Sequence, residues 1–234
     1  MRAIILAAGM GTRLRPLTND IPKSLVSILG EPMIERQIRF LKEKGIDDII
    51  VTTGYKAEKL DYLVEKYGVK LVHNDKYSEY NNIYTMYLVR DYLEDAFVTE
   101  ADVYMSNNYF DISHKQSIYY TGFKTDFSGE WIFKFDETKR VRDIIIGNGK
   151  GHIMSGVSYW TKEDGKYIKQ KLEEAIENRN FSELYWDDIV KQNLNNLHIK
   201  VKEIDSKDWF EIDSIKDLKI AEQFLAKNNL VTIG

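Results

Sequence analysis

Residues 2–14, Arg-Ala-Ile-Ile-Leu-Ala-Ala-Gly-Met-Gly-Thr-Arg-Leu, run an unbroken apolar segment into a glycine turn and then a cation. Arg2 to Ala8 lacks polar–apolar alternation, the mark of a strand buried on both faces, and Gly9 ends it. Such a strand needs helices on both sides of its sheet, and the residues that follow supply them. Glu31-Pro32 opens a helix whose Ile34, Ile38 and Leu41 share one face, and Gly45 stops it. Ile49 to Thr53 is a β-branched strand ending at Gly54, and Leu60, Leu63, Val64 and Tyr67 mark a second helix closed by Gly68. Val69 to His73, a helix through Ile83 and Met86, and Ala96 to Glu100 repeat the pattern. Strands alternating with helices of this length give βαβ units and a parallel sheet covered on both faces.

The middle of the chain departs from that rhythm. Ile118 to Phe123, Trp131 to Phe135, Val141 to Ile145 and Ile153 to Trp160 are β-rich and separated only by Gly, Asp and Asn-rich turns. They read as an antiparallel insertion or an extension of the sheet. Helices resume at Lys162 to Asn178 and near Asp187 to Asn195. Strands at Ile199 to Ile204 and Trp209 to Ile212 and a helix from Ile215 to Leu225 follow. No fixed-period repeat is present, so an appended β-helix is excluded. The expected fold is α/β, with a mixed, mostly parallel central sheet flanked by helices and carrying a small β-rich insertion. One domain over 1–228 is expected, with residues 1–115 as one half and 116–228 as the other. Residues 229–234 read as a tail or the start of a linker.

The 234 residues carry 33 Lys+Arg against 37 Asp+Glu, a net charge of −4, which argues against a nucleic-acid partner because no basic excess displaces counterions. The absence of Cys removes thiol nucleophiles, disulfides and thiolate metal sites. Apolar runs fall far short of the roughly 20 residues that span a bilayer, and the N-terminus lacks the pattern of a secretion signal. No membrane insertion and a cytoplasmic location are the expectation; a homodimer or a fused partner domain stays open.

In an open α/β sheet the ligand lies beyond the carboxyl ends of the strands. After the first strand come Leu6, Ala7, Ala8, Gly9, Gly11, Thr12 and Arg13, then Pro22-Lys23-Ser24-Leu25. Small residues admit an anion close to the backbone, and Arg13 and Lys23 can neutralise phosphate charge. A dinucleotide fingerprint is excluded because Leu14 stands at the third glycine position, and no Gly-Lys-Ser/Thr makes a Walker loop. The four scattered histidines lack metal-motif spacing.

The string Leu-Ala-Ala-Gly-x-Gly-Thr-Arg-Leu-x-Pro-x-Thr followed by Pro-Lys-Ser-Leu resembles the nucleotidyltransferases, which join a nucleoside triphosphate to a phosphorylated small molecule. Further segments resemble the small bacterial CTP:phosphocholine cytidylyltransferases: Asn74 to Tyr77, Tyr80 to Tyr84, Glu130-Trp131, Ser155 to Trp160, Tyr185-Trp186-Asp187 and Glu211 to Ser214. The likeness runs from residue 1 to about 225 and implies a Rossmann-like nucleotidyltransferase fold. It implies Lys23 and Arg13 as catalytic cations and Mg²⁺ held by Asp102 and Asp213, with Glu211 two residues earlier on the same strand face. An ordinary turn role for Asp102 and a helix N-cap role for Asp213 are the plain alternatives. It also implies cytidine contacts from Leu6 to Gly9, Gly11, Thr12, Thr53, Gly54, Tyr80, Asn81 and Asn82.

Five aromatic residues, Trp131, Tyr159, Trp160, Tyr185 and Trp186, match the family's choline side, with Glu130 and Asp187 as nearby anions. Packing in the core is the plain alternative for some of them. A quaternary ammonium cannot donate hydrogen bonds and is held by ring faces. Trp131 and Tyr185 are the favoured pair, with Tyr159 as a third contact and Asp187 as counter-charge. The partners implied are CTP and a small phosphorylated or phosphonate amino compound. Phosphocholine leads, with phosphoethanolamine and 2-aminoethylphosphonate as alternatives. A sugar-1-phosphate transferase and a non-catalytic nucleotide-binding subunit are the more distant readings.

Overall fold

A computed structural model of the chain describes residues 1–179 and 181–228; the expected tail or linker at 229–234 lies outside them. In chain order the elements are β1 (Arg2–Leu6), β2 (Ser27–Ile28), β3 (Glu31–Pro32), α1 (Met33–Glu43), β4 (Ile49–Thr53), α2 (Tyr62–Tyr67), β5 (Lys70–His73) and α3 (Asn82–Leu88). They continue with β6 (Ala96–Glu100), β7 (Val103–Met105), β8 (Ser117–Phe135), β9 (Val141–Trp160), α4 (Lys162–Glu177), α5 (Trp186–Gln192), β10 (Ile199–Ile204), β11 (Trp209–Glu211) and α6 (Ile215–Lys227).

Seven strands form the central sheet in the order β10-β8-β9-β6-β1-β4-β5. β1 pairs in parallel with β4 and β6, β4 with β5, and β10 with β8; β9 alone runs antiparallel to its neighbours β6 and β8. Because side chains alternate across a strand, Ile4, Ile50 and Val98 enter one core while Ala3, Ile5, Val51 and Phe97 enter the other. The first core includes Ile83 and Met86 of α3 with Ile168 and Leu172 of α4. The second includes Ile34, Ile38 and Leu41 of α1. Both faces of the sheet are therefore covered, as the apolar run at residues 3–5 requires.

The four β-rich pieces of the middle are two long strands. β8 and β9 make one hairpin whose inner ends are sheet strands, with Phe97 opposite Tyr159 and Ile118 opposite Tyr159. Its outer end projects beyond the sheet and carries Glu130 and Trp131 opposite Gly147 and Ile146. The middle is thus both an insertion and an extension of the sheet. The bulges at 124–130 and at 131–132 bend it back, and Val201 N–H donates to Lys139 O.

A two-stranded antiparallel ribbon of β7 and β11 sits beside the main sheet, with Val103 opposite Glu211. It is backed by a third core in which Ile212, Leu218, Ala221 and Leu225 meet Leu14, Ile28 and Met33. This packing binds the last helix to the first loop. Ser214 caps α6, its hydroxyl accepting from Asp217 N–H while the Asp217 carboxylate accepts from Ser214 N–H. Asp213 is therefore not the cap.

Gly165 in α4 supplies a test of packing against propensity. Alanine is normally favoured there by about 1 kcal/mol, yet a Cβ would lie 2.3 Å from Leu93 O and 2.8 Å from its carbonyl carbon. Gly165→Ala is expected to lower stability by about 1–3 kcal/mol, read as a fall in the urea midpoint. A rise would show that α4 slides freely over the Leu93 turn.

Candidate active site

The carboxyl ends of β1 and β6 open into a cleft of about 610 Å³. Its floor at one end is the turn after β1. Gly11 there adopts φ +57°, and a Cβ would lie 2.7 Å from Lys23 Cβ, so glycine serves both the left-handed turn and the close approach of the lysine. Thr18 Oγ1 donates to Gly11 O at 2.8 Å and steadies the turn. Leu6, Ala7, Ala8, Gly9, Gly11, Thr12 and Arg13 all line the cleft, as do Tyr80, Asn81 and Asn82 from the start of α3.

Thr53 and Gly54 do not reach it. Thr53 Oγ1 pairs with His73 Nδ1 at 3.3 Å, and a Cβ on Gly54 would meet Ala8 O at 2.6 Å and Tyr77 Cβ at 2.7 Å. Because β4 lies next to β1, the segment after it abuts the first loop from behind. Tyr55 N–H donates to Ala8 O, and Ala7 N–H is committed to Thr52. These residues support the loop rather than line its ligand face.

Three carboxylates converge at the centre. Asp102, from the turn between β6 and β7, and Glu211 and Asp213, from the end of β11, each present an oxygen within 4.8 Å of the others. Ile212 N–H, between the latter two, donates to Asp102 O at 3.0 Å and fixes the two segments against each other. Lys23 Nζ donates to Asp102 Oδ2 at 2.7 Å and to Asp213 Oδ1 at 2.6 Å, and Arg13 pairs with Asp213 at 2.8 Å. Burial works against the Lys23 charge, but Asp102 and Asp213 more than offset it and hold the ammonium well above its usual range.

Burial, then Asp102 and Asp213, push Glu211 up to about 8. Asp102 Oδ1 is buried with no hydrogen-bond partner. An unpartnered carboxylate oxygen among hard oxygen donors and excess negative charge is what a divalent cation satisfies, so these residues fit one.

Also lining the cleft, Trp131 and Tyr185 meet edge to face, centroids 6.4 Å apart, and Tyr185 is 46% exposed. Glu130 and Asp187 line the same cleft. Asp187 is buried and accepts from Tyr119 Oη at 2.7 Å; burial pushes its carboxyl up to about 7 against the pull of that hydrogen bond. Tyr159 is elsewhere: its ring is in the core beside Phe97 and its hydroxyl donates to Asp95 at the opposite end of β6. As the residue paired with Phe97, it points into the core at the amino end of that strand, so its expected acceptor role is corrected. Trp160 is fully buried against Trp186, with its Nε1 donating to Ser158 Oγ.

Two contributors were not read from the sequence. Glu100 lines the cleft, and burial followed by Asp102, Asp187 and Glu211 pushes it well above the ordinary carboxylate range. Its place two residues before Asp102 at a strand end was the available signal. Tyr119, which holds Asp187, carries no local signal, because the contact spans 68 residues.

Cations and carboxylates gathered at the carboxyl ends of parallel strands suit transfer of a phosphate-bearing group, and similar proteins name the class. The Nucleotidyl transferase family model matches residues 2–120. The choline-phosphate cytidylyltransferase of Streptococcus pneumoniae is 44% identical over 98% of this chain and 100% of its own length. The 2-aminoethylphosphonate cytidylyltransferase of Lancefieldella rimae is 35% identical over 92% of this chain and 89% of its own. The solved CTP:phosphocholine cytidylyltransferase structure from Streptococcus pneumoniae superposes with a TM-score of 0.94 at 45% identity, covering 96% of this chain and 98% of that one. The chain belongs to the nucleotidyl transferase family and, within it, to the cytidylyltransferases. Among the described residues no helix is long and apolar enough to cross a membrane.

Asp187 makes the pH dependence of stability testable. Its carboxyl titrates higher folded than unfolded, so its contribution is fully present below the unfolded value near 4 and is lost as pH rises through about 7. Asp187→Asn keeps an acceptor for Tyr119 and removes the titration. The variant should gain stability relative to the parent between pH 4 and 8, on the order of 3 kcal/mol, by urea unfolding without ligands. A pH-independent difference would sink the assignment.

Proposed function

We propose that this chain transfers CMP from CTP to phosphocholine, giving CDP-choline and pyrophosphate, with Mg²⁺ as the divalent ion. The observation that carries the acceptor is the edge-to-face Trp131–Tyr185 pair, which lines the same cleft as the buried Asp187, Lys23 and Arg13. Ring faces and a carboxylate are what a trimethylammonium requires, and each ring contact contributes about 0.5–2 kcal/mol. In this reading the two halves of the chain divide the work. Residues 1–115 supply the glycine turn and Asp102, and residues 116–228 supply the aromatic end together with Glu211 and Asp213.

An acceptor phosphate oxygen attacks the α-phosphorus of CTP in line; the new P–O bond forms as the bond to the bridging oxygen of the leaving pyrophosphate breaks. A phosphomonoester has its second pKa near ~6, so at neutral pH the attacking oxygen is already ionised and no general base is needed. Asp102, Asp213 and Glu211 would hold the cation, which supplies charge neutralisation at the phosphoryl oxygens. Lys23, held charged and screened from solvent, neutralises the α-phosphoryl, and Arg13, largely exposed at the mouth, meets the leaving phosphates. Asn81 and Asn82 at the head of α3 line the cleft and would meet the nucleoside there, with the Asn81 amide steadied by its donation to Glu183 O at 3.0 Å. Asn82 Oδ1 also accepts from Trp186 N–H, which ties the nucleoside side of the cleft to the acceptor side.

Pyrophosphate release with CTP and Mg²⁺ tests the reading, with phosphocholine, phosphoethanolamine, 2-aminoethylphosphonate and glucose-1-phosphate offered in parallel. Phosphocholine should give the highest kcat/KM. A primary amine winning would reassign Asp187 and Glu100 as its hydrogen-bond acceptors, and glucose-1-phosphate winning would overturn the aromatic-end assignment. Trp131→Ala should raise the phosphocholine KM about 2- to 30-fold, the range of one cation–π contact, with the CTP KM nearly unchanged. Equal increases in both would make Trp131 a packing residue only.

A further inference from the structure

Gln37 lies in α1 on the face that also carries Ile34, Ile38 and Leu41, and it is fully buried. An amide in that position is destabilising unless its donors and acceptor are matched. Here Nε2 donates to Glu100 O at 2.8 Å and to Val103 O at 2.7 Å, while Oε1 accepts from Thr99 Oγ1 at 3.3 Å. The two carbonyls stand on either side of Asp102, in the turn where the chain leaves β6 and enters β7.

An apolar side chain of similar volume would fill the same space without burying polar atoms. What it would lack is a pair of coplanar donors fixed on both flanks of one carboxylate. The neighbouring Arg36 extends the same contact along β7, Nε donating to Met105 O at 2.5 Å and Nη2 to Ser106 O at 3.0 Å. From the turn the constraint passes onward, because Asp102 O accepts from Ile212 N–H between Glu211 and Asp213. Gln37 itself does not line the cleft.

We infer that Gln37 is the positioning residue of the carboxylate triad: its amide clamps the Asp102 turn and, through the Asp102–Ile212 hydrogen bond, sets Glu211 and Asp213 at the spacing a divalent cation needs. This rests on the metal reading of the triad given above. A carboxylate misplaced by about an ångström weakens a site that demands near-octahedral oxygen geometry far more than it weakens a fold.

The test compares Gln37→Met with Ile38→Ala, a core truncation on the same helix, at matched loss of urea stability. Two quantities are read: hydrogen exchange at the Ile212 amide without metal or substrates, and the Mg²⁺ concentration for half-maximal pyrophosphate release at fixed CTP and phosphocholine. Gln37→Met should speed Ile212 exchange and raise the Mg²⁺ requirement at least ten-fold each, with the phosphocholine KM within two-fold. Ile38→Ala should leave both within two-fold. Equal shifts in the two variants, or no shift in either, would overturn the clamp. Faster exchange with an unchanged Mg²⁺ requirement would overturn its link to the metal. Should Gln37→Met not fold, Thr99→Val, which removes only the hydroxyl that orients the amide, is read the same way. Two-fold or larger shifts support the clamp, and none overturns it.

Discussion

The cleft depends on one shared ionic contact, the Lys23 ammonium between Asp102 and Asp213. It joins the loop after the first strand to the turn after β6, 79 residues on, and to the end of β11, 190 residues on. So non-local a contact exists only where the sheet, the β7–β11 ribbon and the third core hold the three segments together. The hydrogen bond from Ile212 to Asp102 O and the docking of α6 on Leu14 and Met33 do that work with neutral groups. The lysine then sets charge against a pocket that burial would otherwise leave with a large negative excess.

That excess is the cost the fold carries for its chemistry. Glu100, Asp102, Asp187, Glu211 and Asp213 line a single cleft, and burial drives Glu211 to about 8 and Asp187 to about 7. A core built for stability alone would not assemble them, since each charge left unpaired is costly to desolvate. Gathered this way, they concentrate negative charge in one cleft, where a cation would offset it. The three converging carboxylates beside Lys23 fit a divalent ion.

The elements that build the cleft were largely legible. The apolar run of β1, the helical stripe of α1 and the β-branched run of β4 are local patterns, and they emerged where periodicity put them. The glycine turn with Arg13 and Lys23, and the carboxylates Asp102, Glu211 and Asp213, also converge in one place as their motifs implied. Thr53 and Gly54 did not, because the turn after β4 abuts the outer side of the first loop. Tyr159 did not either: motif adjacency with Ser155 and Gly156 says nothing about which end of an antiparallel strand reaches the site. Gly156 lies at the cleft, while Tyr159 pairs with Phe97 near the other end of β6.

By itself the sequence determined the α/β class and the glycine turn with its two cations, because each rests on spacing within a short segment; the roles proposed for Lys23, Arg13 and the three carboxylates came with the family resemblance. Only the tertiary structure decided that two pairs of β-rich pieces are one bent hairpin, that Ser214 rather than Asp213 caps α6, and that Tyr119 holds Asp187. It also brought Gln37 of α1 against the carbonyls flanking Asp102. These are contacts between segments tens of residues apart, fixed by how strands are ordered in the sheet and which helix face meets it, and no local pattern along the chain encodes that order.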